Sequence, residues 1–241
     1  MFEKWDDVAV TRRFQVEAGL DITFSRVFVP YYHDLVSSIC PNSLLEVGCG
    51  TGHLAFALAP LVQTVVALEP SVGMYNVAKE VLCRSRVKLL NSSVEEYVIN
   101  EEFDLIISHM CLQAVANLDA FLCAVAKLAG RKSTVVFSIP HPCFYNAYKC
   151  FFHPSKYQYY REVGSLVSFS ISKDPITVIS GIPYTHRPLS RYFSAFKSSG
   201  LHTVDFHEIL PADHIQKLYG KPWTDPRYCV FFLAKSVSLQ V

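Results

Sequence analysis

The stretch from Ser43 to Glu69 leaves this chain few folds to choose from. Leu44-Leu45-Glu46-Val47 is an apolar run of the length of one buried strand. Gly48-Cys49-Gly50-Thr51-Gly52 reads as a turn, and His53 to Leu61 has helical apolar spacing. Val65-Val66-Ala67-Leu68 is a second buried strand, and it ends on Glu69. Strand, glycine turn, helix, strand and an acid at the second strand's tip is the unit with which a parallel α/β sheet binds a nucleoside at its carboxyl edge. One glycine lets the chain turn out of the strand, and another lets the backbone approach a ligand with no Cβ in the way. The helix after the turn points N–H groups at the same place, which favours an anionic group there. Glu69, 17 residues past Gly52, is placed to accept hydrogen bonds from both hydroxyls of a ribose.

The spacing narrows the ligand. The dinucleotide fingerprint is G-x-G-x-x-G. Here the order is G-x-G-x-G, and His53 stands where the third glycine would fall. A pyrophosphate needs that open turn and a more compact ligand does not. The chain has 241 residues, 51% hydrophobic and 18% charged, with 17 Phe and 13 Tyr. That suits one large α/β domain with an aromatic-lined pocket. A net charge of +1 gives no strong signal for nucleic acid. No two of the eight cysteines have C-x-x-C spacing, so neither zinc nor a redox dithiol is expected, and no other metal cluster stands out. The start, Met1-Phe2-Glu3-Lys4-Trp5-Asp6-Asp7, has neither a basic region nor an apolar one, and no apolar run is long enough for a membrane. The expectation is a soluble cytoplasmic protein.

In chain order, residues 4 to 40 predict two helices across the ligand face, the second from about Ser25 to Cys40 with Pro30 in its first turns. Tyr31 and Tyr32 read as core residues or as cofactor contacts. Ser71 caps a helix to about Leu82, and Val87 to Leu90 is a third strand. Phe103 to Ser108 is a fourth, Asn117 caps a helix through Leu128, and Thr134 to Ile139 is a fifth. Pro140 and Pro142 hold His141 in extended backbone at that strand's end, as a site residue or a packed loop histidine. From Tyr145 to Tyr184 aromatics come thickly, and Leu166–Ile171 and Ile176–Ile179 form a predicted hairpin joined by Ser172-Lys173-Asp174-Pro175. This insertion reads as a substrate cap, or as the interface of a homodimer. A helix follows Pro188, and Val204–Ile209 and Tyr228–Ala234 close the sheet as an antiparallel pair.

Leu45-Glu46-Val47-Gly48-Cys49-Gly50-Thr51-Gly52 closely resembles motif I of the class I S-adenosylmethionine (SAM) methyltransferases. Val66-Ala67-Leu68-Glu69-Pro70-Ser71 with Met74 resembles their second motif, and Tyr184-Thr185-His186-Arg187-Pro188-Leu189 a later segment of the small-molecule members. The resemblance runs from about Leu44 to Ala234. It implies a Rossmann-like, mostly parallel seven-stranded sheet with an antiparallel last strand, helices on both faces and the cap inserted after the fifth strand. The expected organisation is N-terminal helices (1–42), SAM-binding core (43–140), cap (141–187) and the C-terminal part of the sheet (188–241). It implies SAM as cofactor, bound by Glu46, Gly48, Cys49, Gly50, Gly52, Glu69, Pro70 and Met74, with Ser93 and Val94 beside the adenine and Ser108 near the methyl group. Ser93 departs from the acid usual there. No Asp/Asn-Pro-Pro-Tyr/Phe motif follows the fourth strand, so nucleic-acid bases are disfavoured as acceptors. The resulting expectation is methyl transfer to an oxygen or nitrogen of a small molecule. His141, His186 and His109 are the candidate bases. A methyltransferase of RNA or protein and a SAM-binding protein without catalysis stay open. An NAD-dependent oxidoreductase is disfavoured by the glycine spacing.

Overall fold

Parallel strands buried on both faces must be covered by helices, and the first half of the chain alternates accordingly. The computed structural model describes residues 3–171, 173–220 and 222–235. Met1 and Phe2 of the start and Ser172 of the expected hairpin turn lie outside these. In order the chain forms α1 (Glu3–Asp6), α2 (Ala9–Glu17), a π-helical turn (Thr23–Phe28), α3 (Val29–Ile39), β1 (Ser43–Val47), α4 (His53–Leu58), β2 (Thr64–Leu68), α5 (Val72–Val81) and β3 (Lys88–Leu90). β4 (Phe103–His109), α6 (Leu118–Leu128), β5 (Ala129–Pro140) and α7 (Tyr145–Lys149) follow. The remainder is β6 (Val163–Ile171), β7 (Asp174–His186), α8 (Leu189–Ser198), β8 (Leu201–Ile209), α9 (Asp213–Gln216) and β9 (Tyr228–Lys235).

Seven strands make one sheet in the order β3-β2-β1-β4-β5-β9-β8, and β6 and β7 make a separate hairpin. β1 to β5 are parallel, and β9 runs against both neighbours. The mostly parallel sheet with an antiparallel last strand is therefore as the sequence predicts. Strand order reverses between β1 and β4, where such sheets open a crevice at their carboxyl ends. Successive side chains go to opposite faces. Leu44, Val65, Leu105 and Ile107 pack with α3, α4 and part of α5. Leu45, Val66, Ile106 and Phe137 pack with α6 and α8.

Two expectations change. The second N-terminal helix begins with a π turn, in which the Val29 N–H bonds to the Phe24 carbonyl five residues back. Pro30, next in line, has no N–H to continue an α ladder. The hairpin is longer than Leu166–Ile171 and Ile176–Ile179, because register shifts at Val167/Phe169 and Phe169/Ile171 break the alternation that marks a strand.

Arg187 fixes the hairpin's exit to the crevice. Its buried guanidinium donates to the carbonyls of Leu112 (2.9 Å) and Val115 (2.6 Å) and pairs with Glu162 (3.1 Å). The backbone N–H of Thr185 adds a bond to the Gln113 carbonyl (2.7 Å). An Arg187→Met protein keeps the apolar stem but strands two carbonyls, while Glu162 keeps its pairing with Arg191 (2.8 Å). Urea unfolding should show a loss of about 3 kcal/mol, as expected when charged hydrogen bonds lose one partner.

Candidate functional site

The glycine turn shapes the floor of the crevice. Gly48, Gly50 and Gly52 all have positive φ (71°, 56° and 78°), a region costly for other residues. A Cβ on Gly48 would lie 2.7 Å from the Cys111 Sγ. A Cβ on Gly50 would meet nothing within 4 Å, so this glycine fronts open space. Gly52 differs: a Cβ there would press on Ala78 and Leu82, so its role is close packing of α4's start against α5.

Above this floor lies a cavity of about 300 Å³, at the lower end of the range for small-molecule sites. Glu46, Gly48, Cys49, Gly50, Glu69, Pro70 and Met74 line it, together with His109. Arg12, Phe24 and Phe28 from the N-terminal segment, Tyr145, Tyr148 and Lys149 from α7 and Phe169 from β6 line the rest. The N-terminal segment is pinned to the core at Asp6, whose carboxylate accepts from the Ser71 hydroxyl (2.5 Å) and the Gly73 N–H (2.8 Å). Gln15 on α2 donates to Asp174 at the start of β7 (3.1 Å), so helix and hairpin meet.

Two carboxylates are buried here. Glu69 accepts from the Gly50 N–H (2.7 Å) through one oxygen and from the Ser71 N–H (2.8 Å) through the other. Each oxygen keeps a lone pair for a further donor. Burial raises its pKa to about 7 against those bonds. Burial also raises Glu46 to about 8, opposed by the Ala55 N–H and helped by Glu69 nearby. Glu46 Oε2 has no partner among the described residues. Gln113 Oε1, buried on the same wall, has none either. Buried polar atoms normally have partners, so these mark where a ligand's donors fit.

A family model described as a methyltransferase domain matches residues 45–137, the span that carries this floor. Over this span the chain is similar to the class I SAM-dependent methyltransferases. Malonyl-[acyl-carrier protein] O-methyltransferases from Priestia megaterium and Anoxybacillus flavithermus are 27% and 30% identical to it over 59% and 57% of its length. It spans about half the length of these relatives, 55% of each. The solved SAM-dependent methyltransferase from Leishmania major is similar in fold, at 19% identity and a TM-score of 0.65, covering 96% of this chain and 80% of its own. SAM is the cofactor of this family. The residues present fit it: Glu46, Glu69 and Gln113 offer acceptors that would suit its donors and positive charge, and Gly50 leaves room for close approach.

The site departs from the sequence reading at several residues. His141 and His186 do not line the cavity. His141 lies where β5 pairs with β9. Its Nε2 donates to Glu208 on β8 (2.8 Å) while its Nδ1 accepts from the Cys143 N–H (3.2 Å). His186 Nε2 donates to the Tyr159 carbonyl (2.8 Å) between the Tyr157 and Tyr159 rings. Burial lowers the pKa of both. Ser108 is turned away by the alternation that brings its neighbour His109 to the cavity, and its hydroxyl donates to the Val47 carbonyl (2.9 Å). Ser93 lies off the cavity, and Val94 is packed in the core behind β1 and β4. Tyr32 is core: it is fully buried and donates to Ser138. No group of metal-ligating side chains occurs among the described residues, and no helix among them is long and apolar enough to cross a membrane. The sequence reading passed over Lys149, although Tyr145, Tyr148 and Lys149 have the i, i+3, i+4 spacing of one helix face. It also missed Gln113, which carries no sequence signal of its own.

A carboxyl whose folded pKa is raised above its unfolded value near 4.5 stabilises the fold only while protonated. The unliganded protein should therefore lose stability as pH rises from about 5 to 8, through the raised values of Glu69 and Glu46. Glu46→Gln should flatten this slope and raise the melting temperature at pH 8. The same change should weaken SAM by roughly 10- to 100-fold, the worth of one charge-assisted bond. Melting curves across pH and calorimetric titration measure the two effects.

Proposed function

We propose that the protein transfers a methyl group from SAM to an oxygen or nitrogen of a small-molecule acceptor. One observation carries this reading: the cavity that holds the motif I residues continues without a break to an aromatic wall of Phe24, Phe28, Tyr148 and Phe169. When bound, SAM supplies a methyl carried on a sulfonium, already a strong electrophile. The chain's work is then to bind, orient and exclude water, and positioning of this kind can lower a barrier by about 7–11 kcal/mol. Glu69 holds the ribose hydroxyls with its two free lone pairs. Glu46, with its unpartnered oxygen, would take the positive end of the cofactor. Residues 9–28 and the hairpin cover the reacting groups. The activity that names the two bacterial relatives, O-methylation, favours oxygen over nitrogen. Their acceptor, malonyl-[acyl-carrier protein], is a first compound to assay.

Calorimetry should show micromolar binding of SAM and S-adenosylhomocysteine, weakened at least about tenfold in Glu69→Ala, the loss of a charge-assisted hydrogen bond. Absence of binding by both compounds refutes the reading. His141→Asn and His186→Asn proteins should lose stability yet keep kcat within about threefold of wild type, because neither ring reaches the cavity. A hundredfold fall in kcat in a folded variant would return that histidine to the chemistry.

A further inference from the structure

Two histidines line the cavity, His53 and His109, and the hydrogen bonds of His109 fix which nitrogen carries the proton. Ser138 Oγ accepts from the Tyr32 hydroxyl (2.9 Å). The Met110 N–H goes chiefly to the Ser138 carbonyl (2.9 Å) and reaches Oγ only as the long arm of a shared bond (3.3 Å). The Ser138 hydroxyl proton has no acceptor among the described residues other than His109 Nδ1, 2.7 Å away. Nδ1 is therefore an acceptor, and the ring's proton resides on Nε2, which has no partner among the described residues.

The surroundings hold the ring in this form. Phe28, Tyr32 and Phe24 pack around it at 4.5, 5.6 and 6.1 Å between ring centres. The charged groups felt there are Asp21 and Arg12, which oppose one another and are paired at 2.7 Å. Burial dominates, and pushes the imidazolium pKa down to about 3. At neutral pH the ring is uncharged, with its one basic nitrogen turned away into the Tyr32–Ser138 chain.

We propose that His109 presents a neutral Nε2–H to the acceptor and selects a carboxylate, so that this enzyme makes methyl esters of small amphipathic acids. This rests on the methyl-transfer reading above. An alcohol would need a base: His109 turns no lone pair to the cavity, and the other lining histidine, His53, has Nδ1 on the Thr51 hydroxyl (2.9 Å) and Nε2 buried on the side of Glu17 (3.7 Å). An amine would have its attacking lone pair opposed by the N–H. A carboxylate needs no deprotonation and accepts that hydrogen bond with one oxygen while the other attacks. The attacking oxygen forms its bond to the methyl carbon as the carbon–sulfur bond breaks. That bond's electron pair stays on sulfur, no proton moves, and the products are a methyl ester and the thioether S-adenosylhomocysteine. Lys149 supports the choice. It lines the same cavity, donates to the Ser170 carbonyl (2.8 Å) and has no carboxylate partner among the described residues. Its ammonium also lies over the Tyr148 ring (4.8 Å). An ammonium without a carboxylate partner among the described residues and a neutral donor lining one cavity suit an anion.

The test uses the full chain and three matched probes: 3-phenylpropionate, 3-phenylpropan-1-ol and 3-phenylpropylamine. Nitrogen NMR of ¹⁵N-histidine protein, free and with S-adenosylhomocysteine, should show His109 as the Nε2–H form at pH 7, with the Nε2 proton shifting on addition of the acid alone. With SAM, the acid should be methylated at least tenfold faster than the alcohol or the amine. His109→Leu should erase that preference, and His109→Gln, which keeps an N–H near the same point, should restore part of it. An Nδ1–H ring, an imidazolium, or equal or greater turnover of the alcohol or amine overturns the proposal. Failure of the methyl-transfer reading would show separately, as a free-protein spectrum of the expected form with no response to S-adenosylhomocysteine.

Discussion

Two carboxylates buried in the crevice where the sheet changes direction govern the rest of this structure. Glu46 lies inside β1 and Glu69 just past β2, next to it in the sheet. Burying either as an anion is costly unless something positive or proton-donating answers it. The protein answers in part, with N–H groups from Gly50, Ser71 and Ala55. The remainder is left open as one unpartnered oxygen on Glu46 and raised pKa values on both. The glycine turn makes this arrangement possible, since only residues free to adopt positive φ let the chain leave β1 and return an N–H to Glu69.

The crevice is covered from two sides, by the N-terminal segment and by the hairpin inserted after β5. Asp6 fastens the N-terminal segment to the start of α5, and Arg187 fastens the hairpin to the loop after β4. Gln15 and Asp174 join the two covers. The π turn places Phe24 and Phe28 on one ring, His109, and so couples the cover to that end of the cavity. Exclusion of water would make a bound cofactor's positive charge count for more near Glu46, and burial also disfavours the charged form of His109.

The core of the fold was legible because its signals are local. The apolar runs, the glycine spacing, the Ser71 and Asn117 caps and the short terminal connection each depend on neighbours in sequence. The positions of Glu46 and Glu69 followed from that order. The histidines were not legible. His141 sits at the carboxyl end of a strand as expected, but β8 and β9 lie beside β5, and Glu208 takes the ring. Whether Ser108 or His109 meets the cavity depends on strand phase, and a one-residue step exchanges the faces. The hairpin's true length was hidden by bulges. The tautomer of His109 depends on Tyr32, Met110 and Ser138, on three separate elements that only the folded chain brings together.

The central claim is that the raised carboxylates await a positively charged nucleoside. The direct measurement is calorimetric titration of SAM near pH 6.5 in two buffers of different ionisation enthalpy. In the free protein Glu46 and much of Glu69 hold a proton at that pH. Binding should release about one proton, seen as an enthalpy that differs between the buffers. SAM binding with no proton exchange or with uptake, or no binding at all, would contradict the account.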